Sequence, residues 1–150
     1  MPDMQRDRGG KVMSGSVVLD RASVGYGTKV VIRDITLEVE RGEVLALVGP
    51  NGGGKSTVLK TIAGQIRALG GSVAVAGKDP KETDPRELAK MMAVVLTGRI
   101  RPERMTGFDV AAMGRYPYTG RMGILSPEDR RITEESLELL EARDLAEVPF

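Results

Sequence analysis

The chain has 150 residues, 41% of them hydrophobic, which suffices for one domain with a buried core. Its 22 Lys and Arg nearly balance its 21 Asp and Glu, and a net charge of +1 argues against nucleic acid as a partner, which needs a marked basic excess. Cysteine and histidine are both absent, which excludes a disulfide framework, Cys or His zinc sites and His-based catalysis, and no apolar run approaches the ~18 residues of a membrane-spanning helix.

In chain order, residues 1–15 are polar and mixed in charge, and read as a flexible tail with Met4 and Met13 as alternative initiators. They lack the apolar stretch of a secretory signal, so the expected compartment is the cytoplasm. A first strand begins at Val17, Val18 and Leu19 and leads into a turn from Ser23 to Gly27, with Tyr26 at its tip. Val30, Val31 and Ile32 follow. Ile35, Leu37 and Val39 then alternate with Thr36, Glu38 and Glu40, the period of a half-buried antiparallel strand. Arg41 and Gly42 turn the chain into Val44, Leu45, Ala46, Leu47 and Val48. That unbroken apolar run reads as a strand buried on both faces.

The nine residues that follow are Gly49, Pro50, Asn51, Gly52, Gly53, Gly54, Lys55, Ser56 and Thr57. They fit G-x-x-x-x-G-K-[ST], the Walker A phosphate loop. A polyphosphate has to be wrapped by backbone N–H groups, and Gly52, Gly53 and Gly54 allow close approach and positive φ. The helix that follows adds unpaired N–H groups and the positive end of its dipole. Lys55 supplies a cation for the β- and γ-phosphates, and Ser56 a hydroxyl for Mg²⁺. Val58, Leu59, Ile62 and Ala63 recur as one helix face, with Gly64 placed to end it. The alternative, a glycine-rich turn with a chance lysine, does not account for a motif set between a strand and a helix.

Further on, Gly70 and Gly71 break the chain, and Ser72 to Ala76 form a short strand ended by Gly77. Asp84 caps a helix with Pro85 at its first position. Met91 to Leu96 is a second apolar run and a further expected core strand. From Gly98 to Arg131 there are seven arginines against four acids, with scattered Gly and Pro, and this stretch reads as a helical insert. Thr106 caps a helix through Phe108, Val110 and Met113. Ser126, Pro127, Glu128 and Asp129 form a capping-box start to a helix with Ile132, Leu139 and Leu140 on one face. The arginines are either a solvated face or a partner surface. Tyr116 and Tyr118, in one Pro/Gly-rich turn, either pack under their loop or face a partner, where aromatics are enriched.

With antiparallel strands ahead of its phosphate loop, the sequence resembles the first part of an ABC transporter ATP-binding subunit. Gly49 to Thr57 is similar to that family's Walker A, and Glu38 to Glu43 to its usual lead-in. Gly114 to Gly120 with Leu125 to Asp129 resembles the subgroup importing iron chelates, siderophores, haem and cobalamin. The resemblance covers about residues 16–150. It implies an α/β fold: a P-loop NTPase core with an antiparallel β-subdomain and a partial helical subdomain over residues 97–150, truncated before the signature motif and Walker B.

The resemblance further implies ATP and Mg²⁺ as ligands, with Tyr26 stacking on adenine; the residues alone leave Tyr26 equally readable as an exposed turn residue. It implies integral-membrane permease subunits and a second, head-to-tail ATP-binding subunit as partners, at the inner face of the cell membrane. The family's Mg²⁺- and permease-sensing glutamine is replaced here by Thr97, whose shorter side chain offers one oxygen or merely ends a strand. Val17 to Asp20 mimics a Walker B but precedes the loop. The competing reading is a nucleotide-binding module without turnover, or a degenerate fragment. A small P-loop kinase or GTPase is disfavoured by the strands before Gly49 and, for the GTPase, by the lack of an N-K-x-D motif.

Overall fold

The structure, a computed structural model, describes residues 16–95, 98, 104–120 and 122–149. The expected tail and Thr97 lie outside them. The described residues fall into two compact units, divided between Met92 and Ala93.

The first unit is built on a three-stranded antiparallel sheet. Its strands are β1 (Val17–Tyr26), β2 (Lys29–Val39) and β3 (Gly70–Val75), in the order β2-β1-β3. Helices α1 (Lys55–Ile62) and α2 (Pro85–Met91) belong to the same unit. The separate strand pieces read from the sequence are two long strands interrupted by bulges. Leu19 faces the core, so strict alternation would turn Arg21 inward as well. Instead Arg21 takes φ +45° and Asp34 takes φ +57°, and the ladder shifts between Leu19 and Ala22. Each extra residue resets the alternation, so Leu19, Ala22 and Val24 all face inward. Gly70 and Gly71, expected to break the chain, begin β3. Gly71 has φ +68°, and a Cβ there would collide with the Arg21 carbonyl, so the strand can cross the bulge only at glycine.

Val58 of α1 packs on Leu19, Ala22, Val24 and Val73 to form the core of this unit. The buried face of α1 is Thr57, Val58 and Thr61, while Leu59, expected inside, is exposed. Threonine is tolerated there because the Thr61 hydroxyl donates to the Thr57 carbonyl at 2.8 Å. Gly64 ends the helix with φ +68°, as its position implies. Asp84 caps α2, accepting from the N–H groups of Arg86 and Glu87.

Two expected core strands do not form. Residues 44–48 carry no strand pairing, and Val44 and Val48 are more than 90% exposed. Of the second run, Met91 ends α2, residues 92–95 are unpaired, Val95 is exposed and Leu96 lies outside the described residues. A doubly buried strand requires neighbours on both edges and a layer over each face. None of the strands among the described residues pairs with either run.

In the second unit, α3 (Gly107–Ala112) runs into a 3₁₀ turn at Met113–Arg115, and α4 (Pro127–Leu139) is followed by another at Arg143–Leu145. Both helices start with full capping boxes, Thr106 with Asp109 and Ser126 with Asp129. Their inner faces differ from the expected ones. Met113 is exposed, and α4 buries Asp129, Thr133 and Leu137 while Leu139 and Leu140 face solvent. Asp129 can be buried because its carboxylate accepts from the Ser126 hydroxyl at 2.6 Å and from Arg115 Nε at 2.9 Å.

This arrangement carries a stability prediction. The Ser126 hydroxyl first, then the Ser126 N–H and Arg115, hold the Asp129 carboxyl below its ordinary value. A depressed folded pKa adds stability above the unfolded value of about 4 and loses it as pH falls through the folded one. Ser126→Ala should cost roughly 1 kcal/mol. Denaturant midpoints followed between pH 6 and pH 3 should show a smaller acid loss in the variant; an unchanged acid slope would show that the Ser126 hydroxyl does not hold the Asp129 carboxyl down.

Candidate functional site

The phosphate-loop residues sit between the exposed run of residues 44–48 and the start of α1. The Gly53 N–H donates to the Pro50 carbonyl at 3.1 Å and closes a turn. Gly52 and Gly54 take φ +81° and +88°, whereas Gly53 does not use the left-handed region. Gly54 is the N-cap of α1 and lies against β2. A Cβ on it would stand 2.6 Å from Ile32 Cδ1, so only glycine lets the loop enter the helix there. The Gly54 carbonyl accepts from the N–H groups of Thr57 and Val58. The N–H groups of Gly54, Lys55 and Ser56 find no acceptor among the described residues, which is the ordinary state of a helix N-terminus open to an anion.

Lys55 folds back over the loop, its Nζ donating to the Gly49 carbonyl at 2.8 Å and the Pro50 carbonyl at 2.7 Å. The cation is thus placed at the mouth of the loop, anchored by the backbone it would share with a phosphate. Ser56 is exposed on the first turn of α1, and Thr57 is buried beneath it. Gly49, Pro50, Asn51, Gly52 and Gly53 are all solvent-accessible. Among the described residues no group of three His, Cys, Asp or Glu could hold a metal ion.

Tyr26, expected in a turn, ends β1 and is 48% exposed. The hairpin brings it to α1. The Thr57 side chain, first, holds the phenol pKa below its ordinary value; burial opposes this and the Lys60 charge assists it. The Lys60 ammonium lies 5.9 Å from the ring centroid. Lys60 was not marked by any motif, because only folding brings the end of β1 beside the second turn of α1.

A separate surface lies in the second unit. The Arg115 guanidinium, paired with Asp129, stands 4.1 Å over the Tyr118 ring. Tyr116 and Tyr118 are each about half exposed, alongside exposed Met113, Met122 and Ile124. No helix among the described residues is long and apolar enough to cross a membrane.

Residues 32–150 match the family described as ABC transporter. The chain belongs to that family. An uncharacterized ABC transporter ATP-binding protein of Methanocaldococcus jannaschii is 50% identical over 131 residues, covering 87% of this chain and 45% of that protein. The iron(3+)-hydroxamate import ATP-binding protein FhuC of Bacillus subtilis is 34% identical over 135 residues, 90% of this chain and 50% of its own. Curated relatives named for siderophore transport and hemin import also match. A nucleotide-free ATP-binding cassette from an ABC transporter superposes with a TM-score of 0.72 at 22% identity, over 88% of this chain and 56% of that one, which establishes the fold alone. This ABC-family chain therefore has a partial α/β cassette fold, and it spans about half the length of the curated relatives it matches.

Proposed function

We propose that this ABC-family chain is the ATP-binding part of an importer's ATPase subunit, coupling ATP binding and hydrolysis to uptake of an iron chelate, siderophore, haem or cobalamin. The observation that carries the reading is the Gly49–Thr57 loop opening α1. It offers unpaired N–H groups, a lysine at the mouth and an exposed hydroxyl on the first turn. This donor set fits a Mg²⁺-bound polyphosphate. Gly52, Gly54, Lys55 and Ser56 would hold the phosphates, with Gly49, Pro50, Asn51 and Gly53 shaping the turn. Thr57 would complete the nucleotide-binding loop, and Ser56 would reach Mg²⁺. Bound Mg²⁺ would neutralise charge on the phosphates. Thr97, at the position of the family's sensing glutamine, is assigned at most a single oxygen contact. The cargo class is supported by the relatives named for iron-hydroxamate, siderophore and hemin uptake. ATP titration of the chain tests the reading: micromolar to millimolar binding is expected, and no binding at all would overturn it.

In the same reading Tyr26 stacks on the adenine. Tyr26→Ala should weaken ATP binding about tenfold and Tyr26→Trp should be tolerated, while GTP should bind nearly as well as ATP, because stacking accepts any π-face. If Tyr26→Ala binds ATP as wild type does, Tyr26 has only a structural place at the end of β1.

The partners in this reading are integral-membrane permease subunits and a second ATP-binding subunit arranged head to tail, on the inner face of the cell membrane. The exposed Tyr116 and Tyr118 support a permease-facing surface in the second unit. The sequence has no cysteine, so one introduced at Tyr118 is a clean probe. It should cross-link to a permease cytoplasmic loop in membranes; cross-links found only from other faces would move the interface.

A further inference from the structure

We propose that Lys60 is a positioning residue for the base: its ammonium covers one face of the Tyr26 ring and holds the ring so that the other face can receive adenine. The inference rests on the reading of Tyr26 as the stacking residue. Tyr26 is the last residue of β1, followed directly by a turn, and half of it is open to solvent. An aromatic at such a place has little packing to select its rotamer, and a base that stacks on it must order it first. One contact limits that freedom, and it comes from α1. The Lys60 ammonium lies 5.9 Å from the ring centroid, within cation–π range.

The same helix begins at the phosphate loop, so the base platform and the phosphate cradle are tied to one rigid element. Lys60 lies five residues beyond Lys55, about 7.5 Å further along the axis, which sets its backbone past the phosphate end of the site. Lys60 therefore acts on the base through Tyr26 and makes no phosphate contact.

The test uses the 150-residue chain, titrated with ATP and with inorganic tripolyphosphate. Lys60→Met keeps the aliphatic stem and removes the charge. It should weaken ATP about two- to fivefold, leave tripolyphosphate unchanged and have no further effect once Tyr26→Ala is present; Lys60→Arg should restore ATP binding. Equal losses for ATP and tripolyphosphate would make Lys60 a phosphate contact and overturn the proposal. Tighter ATP binding by Lys60→Met would mean that the ammonium competes with the base, and would also overturn it. Unchanged ATP binding, with Tyr26→Ala still weakened, would overturn the role of Lys60 alone. No loss on Tyr26→Ala would overturn both the stacking reading and this inference, and absence of ATP binding by the wild-type chain would overturn the proposed function with them.

Discussion

Lys55→Ala is expected to abolish measurable ATP binding while leaving the fold in place. Hydrogen bonds to charged groups contribute roughly 1.5–3 kcal/mol each, and an ammonium between two phosphates makes at least two. The loss is therefore on the order of a hundredfold or more. The net effect is smaller than the gross one, because Lys55 Nζ is already bonded to the Gly49 and Pro50 carbonyls and has to share or give up those bonds. The variant should keep its far-ultraviolet circular dichroism, since the core of Leu19, Ala22, Val24, Val58 and Val73 does not include Lys55. Calorimetry on wild type and variant decides the matter. Equal affinities would place the nucleotide elsewhere. Lost affinity with lost helicity would show that the Lys55 bonds chiefly maintain the loop and the start of α1.

The second large effect is a failure: the 150-residue chain should not release phosphate from ATP at a useful rate. Hydrolysis requires cradled phosphates, a positioned water and charge stabilisation at the γ-phosphate. The loop addresses the first and, through Lys55, part of the third. For the second the sequence offers no Asp or Glu at the end of an apolar strand after the loop, and no histidine. The chain also spans about half of its curated relatives. The exposed residues 44–48 add a physical consequence. A run of bare, unpaired β-formers is a template for pairing with another copy, so the isolated chain should self-associate at high concentration, measurably by light scattering. Steady phosphate release from monomeric chain, lost on Lys55→Ala, would reveal a catalytic base within these residues.

What the sequence determined by itself is what is local. The glycine turn that opens α1 was legible because its conformation is settled within a few bonds: Gly52 and Gly54 adopt positive φ, and α1 starts at Lys55, immediately after the last glycine. The caps at Asp84, Thr106 and Ser126 were legible for the same reason, since a side chain accepting from N–H groups two or three residues on needs no distant partner. Tertiary structure alone decided everything that depends on a non-local neighbour. The bulges at Arg21 and Asp34 appear only when β1 and β2 are paired. The inward turn of Thr57, Thr61 and Asp129, against the outward turn of Leu59, Leu139 and Leu140, was set by which face of each helix meets its neighbours, with Asp129 paired to Arg115 fourteen residues away. Residues 44–48 carry the hydrophobicity of a core strand, but hydrophobicity does not supply a ladder, and no described strand offers one. Lys60 drew no notice in the sequence because its significance is a distance, to a ring on another element, that exists only after β1 has come to rest beside α1.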